Sequence, residues 1–133
     1  MSGSLEVAVV TGASSGLGRS IAIRLAKENY HLVLASRNEE KLHSLKLEIS
    51  NDGGESTVIP TDVSSESSVD NLVEKAEEIG SVSVVINNSG LGLFSNISDH
   101  PIEDFDRQIN VNLRGSFLVS RGFIPEMKNN QAG

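Results

Sequence analysis

The chain has 133 residues, a net charge of −7 at neutral pH and no cysteine. This length allows one domain with a hydrophobic core, so residues 1–133 are expected to form a single domain. The acidic balance argues against nucleic acid or a membrane as a partner, because both attract clustered lysine and arginine. The absence of cysteine excludes disulfides, thiolate catalysis and cysteine-based metal sites.

The N-terminus lacks the features of a secretory signal, and no apolar run approaches the ~20 residues that span a bilayer. A cytoplasmic location is therefore expected. The three histidines are scattered along the chain, and none pairs with a carboxylate at the spacing of metal ligands. No metal site is predicted.

The first predicted elements are a strand, a glycine-rich turn and a helix. The strand, near Leu5 to Val10, is almost wholly apolar, as is typical of a strand covered on both faces in a parallel sheet. The turn, Thr11 to Gly18, aims backbone N–H groups and the positive end of a helix at one point, which favours an anion site. The helix, near Gly16 to Asn29, has a stripe predicted to be buried that consists of Leu17, Ile21, Ala22, Leu25 and Ala26.

Two further strand–helix units follow. The second strand is predicted at His31–Ser36, and its helix runs near Glu39 to Ser50, with Asn38 as the N-cap. The third strand is Ser56–Ile59, and Ser64 or Ser65 caps a helix that ends at Gly80. The residues predicted to be buried on these two helices are Leu42, Leu45, Ile49, Val69, Leu72, Val73, Ala76 and Ile79.

The last predicted elements are a fourth strand, Val82–Ile86, and a helical region from Ile102 to Asn129. Asn110 and Asn112 interrupt the helical region, and because asparagine is a mediocre helix former a bend is expected there. Ile102, Phe105, Ile109, Leu113 and Phe117 lie along one side of the helical region.

Alternating strands and helices predict an α/β fold with a parallel sheet. In a doubly wound sheet, ligands bind at the carboxyl ends of the strands. The glycine turn, Ser36–Arg37, Asp62–Val63 and Asn87–Gly90 each follow a strand. Four loops are therefore expected to converge on one crevice.

Four motifs at these positions resemble the short-chain dehydrogenase/reductase family over essentially the whole chain. They are Thr11–Gly18 (TGASSGLG), Asp62–Val63, Asn87–Gly90 (NNSG) and Asn112–Gly115 (NLRG), in the family's order and near its spacing. The resemblance implies a Rossmann-type doubly wound sheet with strand order 3-2-1-4, truncated before strand five. It also implies a nicotinamide dinucleotide, a small carbonyl or alcohol substrate, and a homo-oligomer for the full-length form.

The resemblance also assigns roles. Gly12, Gly16 and Gly18 would admit the pyrophosphate, while Asp62, helped by the Val63 backbone, would receive the adenine. Asn87 and Gly90 would hold the ribose and nicotinamide, and Ser89 stands where the family usually has alanine. Asp62 could instead cap the third helix, and Asn87 with Gly90 could serve only the turn. The turn residues Ser14, Ser15 and Leu17 complete the predicted cofactor contacts.

Asn112 matches the family's catalytic asparagine, and Asn110 is the competing candidate. The family's serine and its Tyr-x-x-x-Lys pair have no match: the one tyrosine is Tyr30, and none precedes Lys128 at that spacing. The chain alone is thus expected to be inactive. A sheet truncated before strand five would also leave part of the last helix uncovered, so Phe117, Leu118, Phe123 and Ile124 are expected to be partly exposed. Of the substrate pocket, Leu91 to Ser98 predicts only an apolar wall.

The residues after the second strand bear on the choice of cofactor. NAD enzymes usually have an acidic residue there, whereas this chain has Ser36 followed by Arg37. A guanidinium can bind the 2′-phosphate of NADP through charge-assisted hydrogen bonds, so NADP(H) is predicted over NAD(H). The alternative is that Arg37 is a solvated surface residue.

The predicted function is therefore the N-terminal cofactor-binding part of an NADP(H)-dependent oxidoreductase. The alternatives are a non-catalytic nucleotide-binding module or regulatory truncated form and, from the wider Rossmann group, an epimerase-like or NAD-sensing protein. The spacing of Gly12, Gly16 and Gly18 argues against that wider group, whose members usually have a shorter Gly-x-x-Gly-x-x-Gly turn.

Overall fold

The computed structural model describes residues 5–133, which contain one parallel sheet with the strand order β3-β2-β1-β4. The strands are β1 (Val7–Thr11), β2 (His31–Ser36), β3 (Glu55–Pro60) and β4 (Val82–Ile86). The α-helices are α1 (Gly16–Lys27), α2 (Glu39–Asn51), α3 (Glu66–Ile79), α4 (Ile102–Gln108) and α5 (Gly115–Asn130). A 3₁₀ turn occupies Ile97–Asp99, and π-helical turns join α4 to α5 at Ile109–Arg114. The predicted Rossmann-type α/β fold and its strand order are confirmed.

The sheet is covered on both faces, which is why its central strands are apolar between their ends. Alternate residues of β1 point to opposite sides: Ala8 and Val10 pack with α1 and α2, whereas Val7 and Val9 pack with α3 and α5. Every residue of β1 is buried. The helices on the two faces make the sheet doubly wound.

The caps of α2 and α3 are those that the sequence predicts. Asn38 Oδ1 accepts the N–H of Lys41 at 3.1 Å, and Ser65 Oγ accepts the N–H of Ser68 at 3.3 Å. Each bond satisfies a backbone donor that the helix itself leaves free. Of the two candidate caps for α3, the structure selects Ser65.

The predicted inner face of α1 is wrong at Leu17, whose side chain is 69% exposed. The buried residues of this helix are Gly18 and Ala22. The first turn of α1 therefore faces the core through Gly18, which has no side chain. Each residue advances a helix by about 100°, and with Gly18 inward Leu17 faces outward. Ile21, Leu25 and Ala26 are partly buried against the same core.

The last helical region runs almost as predicted, and its irregular turns fall where Asn110 and Asn112 lie. We expected Phe117, Leu118, Phe123 and Ile124 to be partly exposed, which is wrong for Leu118 and Phe123 because both are buried. The reason is close packing of α5 on α3: a Cβ on Gly122 would lie 2.6 Å from Val73 Cγ2. None of the helices within residues 5–133 has the length and apolar character needed to cross a membrane.

Candidate functional site

A crevice of about 310 Å³ lies at the carboxyl ends of the strands. The loops after β1, β2, β3 and β4 all contribute to its walls, as the sequence predicts. The predicted cofactor residues that line it are Gly12, Ser14, Ser15, Ser36, Arg37, Asp62, Val63, Ser89 and Gly90.

The glycine turn between β1 and α1 requires glycine for two separate reasons. Gly12 and Gly16 have φ of +62° and +57°, in the left-handed region that favours glycine. A Cβ on Gly12 would also lie 2.9 Å from the carbonyl oxygen of Asn88, and a Cβ on Gly18 would overlap Gly12 O and Asn88 Nδ2. Consequently the start of α1, with its free backbone N–H groups, lies directly beside the crevice.

Thr11 locks the loop after β4 to the end of β1, a role that the sequence analysis missed. Its buried Oγ1 accepts the N–H groups of Asn88 at 3.0 Å and Ser89 at 3.1 Å. The same hydroxyl lies 3.3 Å from the carbonyl oxygen of Ile86, to which it donates. The sequence feature that could have indicated this role is a single polar residue, Thr11, at the end of an apolar strand.

Asn88 was also missed, and it joins the same two loops from the other side. Its Nδ2 donates to the carbonyl oxygen of Gly12 at 3.1 Å. Asn87 turns away instead, and its Nδ2 donates to Ser120 Oγ on α5 at 3.0 Å. Of the two adjacent asparagines, Asn88 lines the crevice and Asn87 does not.

Asn112 lies in the π-helical turns and fixes the chain just after β4. Its Oδ1 accepts the N–H of Leu91 and its Nδ2 donates to the carbonyl oxygen of Leu91, both at 2.8 Å. The backbone carbonyl of Asn112 accepts the hydroxyl of Ser116 at 3.1 Å. Asn112 therefore borders the crevice through Leu91 rather than lining it.

The carboxylate of Asp62 is held by hydrogen bonds within its own turn. Its Oδ1 accepts the Ser64 hydroxyl at 2.6 Å and the Ser64 N–H at 3.0 Å. The hydroxyl bond lowers the pKa of Asp62; partial burial opposes it, while the Ser64 N–H and the Arg37 charge add to it. Asp62 is thus not the N-cap of α3, which is Ser65.

The remaining predicted residues lie around the crevice. Ser36 Oγ accepts the N–H of Asn38 at 3.1 Å, and Arg37 beside it is exposed. Gly16, Leu17 and Gly18 form the first turn of α1 and do not line the crevice. Within residues 5–133 no group of three histidine or acidic side chains could hold a metal ion. Residues that line the crevice without having been predicted are Asn38, Thr61, Asn88, Leu91 and Val111.

Known proteins match nearly the whole of this chain. Residues 6–133 match the family described as short chain dehydrogenase. An uncharacterised oxidoreductase of Staphylococcus aureus (strain USA300) is 39% identical over 129 residues, which are 96% of this chain and 55% of that protein. One of Staphylococcus epidermidis is 33% identical over the same shares of the two chains. The chain thus spans about half the length of the curated relatives it matches.

Two solved structures share the fold closely. A metagenomic short-chain oxidoreductase in complex with NADP superposes with a TM-score of 0.93 at 34% identity, over 98% of this chain and 61% of that one. An alcohol dehydrogenase of the archaeon Thermococcus sibiricus, complexed with 5-hydroxy-NADP, superposes with a TM-score of 0.92 at 35% identity. That match covers 96% of this chain and 55% of the archaeal one.

Proposed function

Because this chain belongs to the short-chain dehydrogenase family, we propose that it binds a nicotinamide dinucleotide for an oxidoreductase that interconverts a carbonyl and an alcohol. The observation that carries the proposal is the crevice itself, in which a glycine turn, a helix N-terminus and three strand-end loops meet. Two related structures hold NADP or 5-hydroxy-NADP.

The glycine turn suits a pyrophosphate. Gly12 and Gly18 leave no room for a Cβ, so the loops after β1 and β4 lie close together beside the helix N-terminus. Backbone N–H groups and the helix dipole together favour a doubly charged group there. In this assignment Ser14 and Ser15 are cofactor contacts and Gly18 shapes the turn, while the exposed Leu17 lies beside them on the first turn of α1.

Asp62, with the Val63 backbone, would accept a hydrogen bond from the exocyclic amine of adenine. Its lowered pKa keeps the carboxylate ionised, and ionised carboxylates act only as acceptors. Ser89 and Gly90 would border the ribose and nicotinamide, and Asn87 would support their loop through its bond to Ser120 on α5. Asn112 would act at the same end by holding Leu91 in place.

NADP(H) is the proposed cofactor in preference to NAD(H). Ser36 and Arg37 both line the crevice, and the exposed guanidinium is free to reach a 2′-phosphate. A charge-assisted hydrogen bond contributes roughly 1.5–3 kcal/mol, which corresponds to about tenfold or more in affinity. The Asp62 carboxylate lies in the same crevice, and its negative charge interacts with the positive charge of Arg37.

Titration of the chain with NADPH and NADH, followed by thermal stabilisation, tests the proposal. The double variant Ser36→Asp with Arg37→Ala should weaken NADPH binding by about tenfold or more and leave NADH binding equal or stronger. Arg24→Ala is the matched control, because Arg24 is an exposed arginine that pairs with Glu28 on α1. Failure of both cofactors to bind at millimolar concentration would contradict the proposal, and an unchanged NADPH/NADH ratio would contradict the cofactor assignment.

A second candidate is a nucleotide-binding module without catalysis of its own. It is favoured by one observation: no Tyr-x-x-x-Lys pair occurs in these 133 residues. A positioned general acid contributes about 10²–10⁴-fold to a rate. The coding sequence after Gly133 separates the two candidates: a serine followed by a Tyr-x-x-x-Lys pair would favour the oxidoreductase, and a stop codon would favour the module.

A further inference from the structure

One segment of the chain contacts two of the loops that form the crevice. The π-helical turns run into α5 at Gly115. Asn112, on these turns, bonds to Leu91 in the loop after β4. Gly115, further along, packs instead against Val63 in the loop after β3. In the proposed cofactor assignment these two loops receive opposite ends of the dinucleotide, so the segment reaches both ends of the site.

The contact between Gly115 and Val63 leaves no room for a side chain at position 115. Gly115 is buried, and a Cβ there would lie 2.7 Å from Val63 Cγ2 and 3.1 Å from Val63 Cβ. Its φ of −59° and ψ of −48° are ordinary helical values, which any residue adopts. Alanine would suit the helix better, since glycine is a poor helix former. The close approach of α5 to Val63 therefore explains the glycine, whereas its backbone conformation does not.

Val63 transmits this contact to the residues around it. Its side chain is buried in the core, and the residue also lines the crevice. Asp62 precedes it, and Ser64, which follows it, donates its hydroxyl and its N–H to Asp62 Oδ1. Arg114, the neighbour of Gly115, donates from Nε to the carbonyl oxygen of Ser64 at 3.5 Å. A displaced Val63 would therefore carry the Asp62 carboxylate with it.

We propose that Gly115 is a positioning residue for the adenine end of the cofactor, an inference that rests on the function proposed above. Because position 115 has no side chain, Val63 lies against α5, and this places the Asp62 carboxylate where it accepts the exocyclic amine of adenine. A methyl group on Gly115 would push Val63 away from α5 and misalign that hydrogen bond. The loss would fall on recognition of the base, while the pyrophosphate and the nicotinamide, which other loops hold, would keep their contacts.

Two reduced dinucleotides that differ only in the base test the proposal. Nicotinamide hypoxanthine dinucleotide phosphate has a carbonyl oxygen in place of the exocyclic amine of NADPH, so it offers the Asp62 carboxylate no donor. Titration of the chain with each, followed by nicotinamide fluorescence, should show at least about tenfold tighter binding of NADPH, which corresponds to one charge-assisted hydrogen bond. In Gly115→Ala this preference should fall to about twofold or less, because a misaligned hydrogen bond is weak.

Gly122→Ala is the matched control. Gly122 lies on the same helix, and a Cβ there would lie 2.6 Å from Val73 Cγ2 on α3. Neither Gly122 nor Val73 lines the crevice. Both variants crowd a valine, so both should lower the free energy of unfolding, but only Gly115→Ala should change the preference for NADPH. An equal fall of the preference in the two variants would overturn the inference, because it would trace the loss to stability.

Val63→Ala supplies a second test that does not depend on the folding of Gly115→Ala. This variant leaves a gap where Val63 meets α5, and it should lower the preference for NADPH as well. The double variant, Val63→Ala with Gly115→Ala, refills the gap from the other side of the contact and should recover most of the original preference. A folded double variant with no more preference than Val63→Ala would overturn the inference.

The outcomes separate this inference from the proposed function. If NADPH binds and Gly115→Ala keeps the original preference, the inference is overturned and the proposed function stands. If the unaltered chain binds the two dinucleotides equally, Asp62 does not recognise the base, and the inference is overturned while nucleotide binding stands. If neither dinucleotide binds the unaltered chain, the proposed function fails and the inference fails with it.

Discussion

The loops around the crevice and the segment from Leu91 to Phe117 are stabilised in different ways. Around the crevice, buried polar side chains bond to backbone: Thr11 and Thr61 are 1% and 4% exposed. In the segment from Leu91 to Phe117, large apolar side chains face outward, with Phe94 and Ile97 almost fully exposed. The first region sets the position of backbone groups, which suits a phosphate. The second offers side-chain surface, which suits an apolar ligand.

The largest effect is expected in the tightly packed glycine turn beside the crevice. In Gly18→Ala the new methyl group would overlap Gly12 O and Asn88 Nδ2, so the free energy of unfolding should fall by about 2–3 kcal/mol. Denaturant unfolding measures this. Ser20→Ala, an exposed change on the same helix, should stay within ~0.5 kcal/mol. Equal stability of the two variants would show that the turn is not tightly packed.

A smaller loss is expected when a bond that holds two loops is removed with little change in shape. Thr11→Val leaves the N–H groups of Asn88 and Ser89 without their acceptor, so stability should fall by about 2 kcal/mol. Hydrogen exchange at these two amides should also accelerate. Thr57→Val is the control, since the Thr57 hydroxyl bonds the His31 side chain and lies on another strand. An unchanged exchange rate would contradict the locking role.

The link between the two regions is weaker, because Asn112 is exposed. Asn112→Ala removes both bonds to Leu91 and should cost about 1 kcal/mol. Exchange of the Leu91 amide should accelerate, while that of Ser89 should not. Asn110→Ala, two residues away and also exposed, should leave the Leu91 amide unchanged. If both variants behave alike, Asn112 does not join the regions.

The smallest effect concerns charge within the crevice. Ser64→Ala removes the hydroxyl that lowers the pKa of Asp62, so that pKa should rise toward its ordinary value. Because the folded-state pKa is depressed, Asp62 stabilises the fold above its unfolded pKa and loses that contribution as the pH falls through the folded value. The variant should therefore lose less stability on acidification. Carbon NMR titration of the carboxyl group measures the shift, with Ser67→Ala as control.

Apolar runs and helical stripes predict the parallel sheet and the four loops of the crevice because they report burial directly, whereas the strand order follows from the family that the four motifs resemble. The sequence is less informative where burial depends on glycine. It misplaces Leu17 because the inward contact there is made by Gly18, and a pattern of apolar side chains cannot register a residue without one. The predicted exposure of Leu118 and Phe123 is wrong for a similar reason, because Gly122 lets α5 pack closely on α3. The roles of Thr11 and Asn88 cannot be predicted from local sequence patterns, because the hydrogen bond between them joins residues 77 positions apart.

The π-helical turns at Ile109–Arg114 constrain the length of the chain. A π-turn holds more residues than an α-turn, so each of its residues rotates the chain by less than the ~100° of an α-helix. Deleting one residue would let the junction close as a regular α-helix with α5 kept in place. Adding one residue would instead turn α5 by about 100° and move Leu118 and Phe123 out of the core. In an alignment of related chains, this junction should therefore show single-residue deletions and no insertions.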